Sequence, residues 1–577
     1  MQAQTAHDTP SDRRLTGERT VATRRAWAGL ALLAMVLALW FGHALGNRAL
    51  WHPDEGRYGE IPREMVETGD YVTPRLNGVK YFEKPALFYW MQAGSIKLFG
   101  VNEWALRLWP ALLGLLGCLA VYGAGCKLFG RRAGLIAAIV LATSPLYYLL
   151  ARIITLDMAV SVFLSGALLS FLLGVRAPPG RSRSLYLYAF YALCAAATLT
   201  KGLIGIVIPA MVIGAWIVLL WDWRLLRAIR LPTGLLLFFA IAAPWHVLVA
   251  RANPEFVDFY FIYNQFERYL TASPATHGRY QPWWSFFPVL IFGMLPWIAL
   301  VPQALRAAWP RAWRARREYR DELFLLLWAV LVFAFFSASG SKLIPYILPA
   351  LPPLALLVGR YLDRAWEAPR THDLRLGFWL FLALGGALAA FVGSELAARP
   401  QAAAELARFG WRGYALAALL GACLVALFLL GRRPVRGPLV ALVLAAGALV
   451  SVFNGGLPTL DTKFSVKAHT AAIKERLTPA DEVMTFRAYY QDLPVYLERR
   501  VTIVDWKGEL EFGAAQEDVG DWMIGMTELR RRWQSAHAVY LITDRNNLDD
   551  LRALGLPFRV LSENEYTVLL INREPAS

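Results

Sequence analysis

WHPDEGRYGEIPREM, residues 51–65, places Asp54, Glu55, Arg57, Glu60, Arg63 and Glu64 within a chain that is 57% hydrophobic. It begins shortly after residues 26–45, an apolar run too long for an ordinary core helix. A run of about 20 apolar residues spans a bilayer. The charged stretch is therefore the first thing the chain builds on the far side of a membrane. Charges at membrane depth are costly and usually functional.

The rest of the composition agrees. The 577 residues include 22 Trp, 23 Tyr and 31 Phe, and only 18% are charged, against roughly 25% in soluble domains. The net charge of +16 sits mostly as arginine in short loops between apolar segments, so it does not point to nucleic acid. Cys118, Cys126, Cys194 and Cys423 lie in or at the ends of apolar segments and read as small packing residues. No Ala-x-Ala cleavage site follows the first apolar run, so it reads as a retained span rather than a removed signal.

Thirteen segments are candidates for spanning helices: 26–45, 107–125, 133–150, 158–175, 185–200, 202–221, 232–250, 287–305, 323–338, 343–359, 376–394, 413–430 and 438–453. The weakest boundaries are the split near Lys201 and the short runs near 323 and 438. Alternate loops, beginning with the arm 1–25, hold 27 Lys and Arg, whereas the short loops on the other side hold six. The positive-inside rule then puts the N-terminus in the cytoplasm. Thirteen spans place the C-terminus outside, together with loops 46–106 and 251–286 and the tail 454–577. The tail alternates strand-like runs (EVMTF, VTIVDW, AVYLIT, YTVLLIN) with helical ones (TELRRRWQ, LDDLRAL). That is the pattern of a small α/β domain.

The first external loop carries the chemistry. Gly69 reads as a helix stop for the run that begins near Asp54. After an extended piece comes EKPALFYWMQAGSIKLFG, residues 83–100, with Pro85 suited to a first helical turn. Its Leu87, Phe88, Tyr89 and Trp90 suggest a helix lying at the membrane surface. Lys84, just before that helix, makes an anion site with its N-terminus, and a lipid phosphate is the anion at hand. The bland reading of Lys84 is snorkelling toward headgroups. For Asp54 and Asp157, the latter opening the fourth span, it is helix capping.

Two further stretches contribute candidates. In SGSKLIPYILPALPPL, Lys342 and Tyr346 are one turn apart and can face one cavity, while the prolines irregularise the helix start. Loop 251–286 is aromatic and carries Arg268, His277 and Arg279. A zinc site built from Glu83 and His277 needs at least one more ligand. No Gly-x-x-x-x-Gly-Lys phosphate loop and no Asp-x-Asp motif is present. A donor substrate is therefore expected to arrive through the membrane.

WHPDEGRYGEIPREMVETGDYVTPRLNGVKYFEKPALFYWMQA and SKLIPYILPALPPLALLVGRYL resemble two motifs of the 4-amino-4-deoxy-L-arabinose lipid A transferases. These are bacterial members of the protein O-mannosyltransferase-like superfamily. The resemblance covers residues 30–450; the tail adds nothing specific to it. It implies a GT-C membrane fold, an inner-membrane location with the active site in the periplasm, and an undecaprenyl-phosphate-linked donor. It implies lipid A as acceptor, with polymyxin resistance as the outcome, and no required cofactor. The family's acidic pair falls on Asp54–Glu55, its fourth-span acid on Asp157 and its lysine on Lys84. Arg57 and Tyr58, inside the first motif, join Lys84, Arg268, Lys342 and Tyr346 as substrate-binding candidates.

The expected reaction moves an aminoarabinose-like sugar from undecaprenyl phosphate to a lipid A phosphate. Asp54 aligns the acceptor and Asp157 supports it. A phosphate acceptor is already ionised and barely needs a base, so Asp54 as a general base would suit a hydroxyl acceptor better. A protein O-glycosyltransferase is thus one alternative. A lipid-linked sugar transporter is another, but the paired repeats and broken mid-membrane helices of transporters are not evident.

Overall fold

Runs of Leu, Ala, Val and Phe broken by Gly, Pro or Arg dictate long helices with short connections. The computed structural model describes residues 27–267, 281–367, 371–398, 407–432 and 434–572. In chain order these begin with α1 (Trp27–Gly42), α2 (Asp54–Thr68), α3 (Leu87–Phe99), α4 (Glu103–Phe129), α5 (Arg131–Ala142), α6 (Pro145–Leu150), α7 (Leu156–Arg176), α8 (Arg181–Lys201) and α9 (Ile204–Leu220). Further helices run over Leu231–Ala252, Phe286–Gly293, Val301–Ala308, Arg320–Ala338, Leu351–Glu367, Thr371–Ala398, Trp411–Leu430 and Arg436–Gly456.

All thirteen expected segments are helical, with breaks inside some of them. Eight helices among the described residues are long and apolar enough to cross a membrane. A ninth arises if Trp283–Gly293 and Trp297–Ala308, bent by 105°, count as one. The chain is a multi-pass membrane protein. The break expected near Lys201 is present: α8 ends there, and Gly202 takes φ 79° before α9 begins. The proline-rich start of the tenth segment is a 3₁₀ turn over Ile344–Ala350, passing into α-helix at Leu351. Close packing rests on small residues. A Cβ on Gly125 would lie 2.6 Å from the Cα of Gly134, so α4 and α5 touch backbone to backbone.

The tail forms a six-stranded sheet. Its strands are β3 (Glu482–Phe486), β4 (Thr502–Val504), β5 (Met523–Ile524), β6 (Val539–Asp544), β7 (Arg559–Glu563) and β8 (Thr567–Ile571); β1 (Arg75–Leu76) and β2 (Val79–Lys80) make a separate hairpin in the first loop. The order is β5-β4-β3-β6-β8-β7, parallel from β5 to β6 and antiparallel at β8 and β7. β5, two residues long, and β7, largely exposed, were not expected from the sequence, because neither shows a clear apolar alternation.

This sheet domain is docked on the first loop. Asn77 and Val501 exchange two hydrogen bonds of 2.9 Å, and Arg75 grips Glu517 at 2.8 and 2.9 Å. The tightest approach is at Gly56, where a Cβ would sit 2.3 Å from the backbone nitrogen of Asp492. Only glycine allows that contact. The helix α3 is two-faced. Phe88 and Tyr89 are fully buried, whereas Leu98 and Phe99 at its end are exposed, so one face of α3 packs inward on α2.

Candidate active site

The helix α2 starts at Asp54 and ends at Thr68, where Gly69 (φ 75°) returns its N–H to the Met65 carbonyl. Most of its charges hold the loop together. Arg63 bridges Glu60 at 2.6 and 2.7 Å and Glu67 at 2.6 Å. Glu64 accepts from the Gly78 N–H at 3.0 Å, closing α2 onto the hairpin. Burial, with Glu60 beside it, pushes the Glu64 carboxyl well above its ordinary value.

Asp54 and Glu55 do not act as a pair. Successive residues on a helix project roughly 100° apart, and the two carboxylates face different surroundings. Glu55 is turned inward at 1% exposure, between Arg107 at 2.9 Å and Arg48 at 2.8 Å. It also accepts from the N–H groups of Trp51 at 3.0 Å and Ile154 at 3.2 Å. Burial opposes its ionisation, yet the two guanidiniums overcome this and hold the carboxyl down to about 2. Glu55 therefore ties the first loop to the segment just before α7. Asp54 remains half exposed in the first turn and caps nothing.

Arg57 lies beside Asp54 at 3.5 Å and reaches Glu509 of the sheet domain at 2.6 Å. Its guanidinium sits 5.8 Å from the Tyr58 ring centroid and 5.9 Å from that of Tyr81. Glu509 accepts from the Gln491 side-chain amide at 2.6 Å and from the Tyr81 hydroxyl at 3.4 Å. Burial pushes the Glu509 carboxyl up, and Glu83 and Asp54 push it further against the pull of Arg57 and Gln491. Two carboxylates, Asp54 and Glu509, thus flank one guanidinium, and Glu83 lies within electrostatic range of Glu509. Burial also drives the phenols of Tyr58, Tyr81 and Tyr89 well above their ordinary value, so all three stay neutral donors.

Asp157, in the first turn of α7, likewise makes no capping bond. It forms an ion pair with Lys201 at the end of α8. The Lys201 ammonium lies 4.4 Å from the centroid of the Tyr346 ring and within electrostatic range of Asp54. Lys201, Lys84 and Tyr346 line one cavity of about 270 Å³. Asn264, from the π-helical segment Asp258–Glu267, and Ser339 and Ser341 add polar groups, while Leu203, Ile204, Val207, Phe335 and Phe336 make its apolar wall. The Lys84 ammonium donates to the Glu83 carbonyl at 2.9 Å.

Lys342 does not share this cavity with Tyr346. Lys342 precedes the 3₁₀ turn that carries Tyr346, and its ammonium is buried against the carbonyl oxygens of Gln281, at 2.8 Å, and Ser339. Arg268 and His277 lie outside the described residues. Among the described residues no three His, Cys, Asp or Glu side chains are grouped to hold a metal ion. Glu83 instead stands between Lys84, at 4.0 Å, and Glu509.

Lys201 and Glu509 are the residues that sequence reasoning missed. A lysine between two apolar runs carries the ordinary signal of a charge at membrane depth. Glu509 carries none, being 428 residues from its partner Tyr81.

Residues 25–260 match the family of dolichyl-phosphate-mannose-protein mannosyltransferases, and residues 469–572 match the aminoarabinose transferase C-terminal domain. The undecaprenyl phosphate-alpha-4-amino-4-deoxy-L-arabinose arabinosyl transferase of Erwinia tasmaniensis is 31% identical over 521 residues, 88% of this chain and 91% of that protein. The chain belongs to this arabinosyl transferase family. The Edwardsiella ictaluri member is 33% identical over 338 residues, an alignment spanning 58% of this chain and 60% of that protein. Among solved structures, ArnT from Cupriavidus metallidurans bound to undecaprenyl phosphate is 29% identical, with a TM-score of 0.78 over 95% of this chain and 98% of that one. The family therefore accounts for both parts of the chain, the helical bundle and the docked sheet domain.

Proposed function

We propose that this protein transfers 4-amino-4-deoxy-L-arabinose from undecaprenyl phosphate to a phosphate of lipid A, on the periplasmic side of the inner membrane. One observation carries the reading. Two lysines from separate elements, Lys84 and Lys201, converge with Tyr346 on a cavity whose remaining wall is largely apolar. That is the chemistry of a lipid-linked phosphate: cations for the head and aliphatic and aromatic side chains for the first prenyl units. Lys84 and Lys201 stabilise the charge that grows on the leaving phosphate as the anomeric bond breaks. Asp157 holds Lys201 in place.

Asp54 faces the same region from α2 and orients the acceptor. A lipid A phosphate arrives ionised, so Asp54 needs to take at most a residual proton. The carboxylates around Arg57 suit the sugar. Its amine is a cation at neutral pH, and Glu509, Glu83 and Asp54 offer the acceptors a cation requires. Tyr58 and Tyr81 supply neutral donors for the sugar hydroxyls. No cofactor has a task in this scheme. The thirteen-span topology, with residues 46–106, 251–286 and 454–577 in the periplasm, is part of the same proposal.

The likeness of residues 25–260 to protein mannosyltransferases favours a protein acceptor as the second reading. Mass spectrometry of lipid A from a donor-making host, with and without the gene, separates the two. The expected result is an aminoarabinose mass increment that depends on the gene and on Asp54. Polymyxin sensitivity should follow it, because an amino sugar adds positive charge to an anionic surface. Unchanged lipid A alongside lost glycoproteins would establish the protein acceptor instead.

A further inference from the structure

Two recesses away from the Lys84–Lys201 cavity meet at the ends of α1 and α6 and the helix Arg436–Gly456. One, of about 630 Å³, is lined by Arg48, Arg107, Arg152 and Arg412. The other, of about 1030 Å³, is an apolar groove whose wall includes Leu37, Ile139, Val443 and Leu444. His43, Tyr148 and Ser451 line both, so the cationic recess opens directly onto the groove. A cationic end joined to an apolar trough is complementary to an amphiphile with an anionic head.

The arginines are short of partners. Arg48 and Arg152 are 8% and 5% exposed, and the Arg48 Nη2 and the Arg152 Nε have no hydrogen-bond acceptor. Arg152 donates its other nitrogens to the neutral carbonyls of Phe41, at 2.7 Å, and His43. Arg48 shares the single carboxylate of Glu55 with Arg107; Asp461 lies near Arg48 and Glu103 near Arg107. Four guanidiniums, three of them buried, face Glu55, Asp461 and a Glu103 already paired with Lys467; the excess buried positive charge is costly without a counter-ion. Burial holds the Arg48 and Arg152 guanidiniums below the ordinary arginine value, with Arg107 facing both and Arg48 also facing Arg152.

We propose that this composite recess binds an anionic glycerophospholipid of the surrounding membrane, with its phosphate against Arg48, Arg152 and Arg412 and an acyl chain in the groove between α1 and Val443–Leu444. The lipid is a bound companion and not a reactant. The recess shares no lining residue with the Lys84–Lys201 cavity. The contacts of Glu55 with Arg48, Arg107 and Ile154 stand between the recess and Asp157. Through Glu55 the site adjoins the first turn of α2, so an occupied recess steadies the helix that carries Asp54.

The test is native mass spectrometry of the full chain in detergent, titrated with phosphatidylglycerol or phosphatidylcholine. Phosphatidylglycerol should be retained at one copy per chain, about tenfold more tightly than phosphatidylcholine, as a charge-assisted phosphate contact implies. Arg152→Gln and Arg412→Gln should each lower that retention about tenfold. Leu444→Trp, which fills the groove, should lower it with the arginines intact. Arg412 makes its contact with the neighbouring Trp411, so its variant tests the head site even if Arg152→Gln fails to fold. Equal retention of the two lipids, or undiminished retention by the Arg412→Gln and Leu444→Trp proteins, would overturn the proposal. So would displacement of phosphatidylglycerol by equimolar lipid A, which would make the recess an acceptor site.

Discussion

Lys201→Met tests whether the Asp157–Lys201 pair serves the fold or the donor. The two side chains are 11% and 13% exposed. Removing one partner of a buried pair costs roughly 3–5 kcal/mol, and the residual access of both groups puts this pair at the lower end. Replacing both, as Lys201→Met with Asp157→Asn, removes the uncompensated charge and should recover most of that loss. The phosphate contact is a separate quantity. A charge-assisted hydrogen bond is worth roughly 1.5–3 kcal/mol, which is about one to two decades in affinity. The double variant should therefore unfold near the wild-type temperature in detergent yet need about 10–100-fold more donor lipid for half-maximal transfer. Asp157→Asn alone is the reference, since the two residues touch and their effects do not add. The assay is a titration of undecaprenyl-phosphate aminoarabinose at saturating lipid A, read by product mass. If the double variant and Asp157→Asn show the same donor dependence, Lys201 only neutralises Asp157 and the phosphate assignment fails.

Four other outcomes are expected. Asp54→Asn should abolish most transfer by purified protein without lowering thermal stability, because the side chain caps nothing and is half exposed; near-normal turnover would remove it from the mechanism. Glu55→Gln should lose about 3 kcal/mol of stability at neutral pH, because its carboxyl is held down to about 2 from 4.5. Since the folded value is depressed, that stability is present above pH 4.5 and fades toward pH 2, so unfolding of the two proteins followed against pH should converge on acidification. Gly56→Ala should lift the sheet domain from α2 at about 1–3 kcal/mol, seen as faster proteolysis at the domain junction together with lost transfer. A reporter active only in the periplasm, fused after Ser577, should work; activity of a cytoplasm-only reporter there would refute the thirteen-span topology.

Much of the membrane part was legible because each helix announces itself by composition. The break at Lys201 and the irregular start near Pro345 were visible as a charge and a set of prolines. Asp54, Lys84, Asp157 and Tyr346 could be chosen because charged or aromatic residues at the bilayer edge need a reason. What the residues do to one another was not legible. Asp54 and Glu55 look equivalent in the sequence, and only the helix turn and the two arginines separate them. Lys342 and Tyr346 suit one face of an α-helix, but helical backbone begins only at Ile344, and the Lys342 ammonium turns to backbone carbonyls. The aromatic residues of α3 read as a lipid-facing surface, whereas the docked loop buries Phe88 and Tyr89.

The docking at Gly56 links the sheet domain to the proposed chemistry. It is anchored one residue from Glu55 and two from Asp54, so the position of Glu509 is set by the same backbone contact that fixes the start of α2. A carboxylate brought in this way can contact the sugar only when the domain is seated. Arg57, Gln491 and Tyr81 already contact Glu509, yet burial still raises its proton affinity, and a further cation beside it would lower that. An aminated sugar supplies such a cation and a neutral hexose does not. The selectivity for an amino sugar would then reside in the tail, while the lysines and apolar wall that receive the lipid phosphate belong to the bundle. That division parallels the two family matches, a mannosyltransferase-like N-terminal part and an aminoarabinose-transferase C-terminal domain.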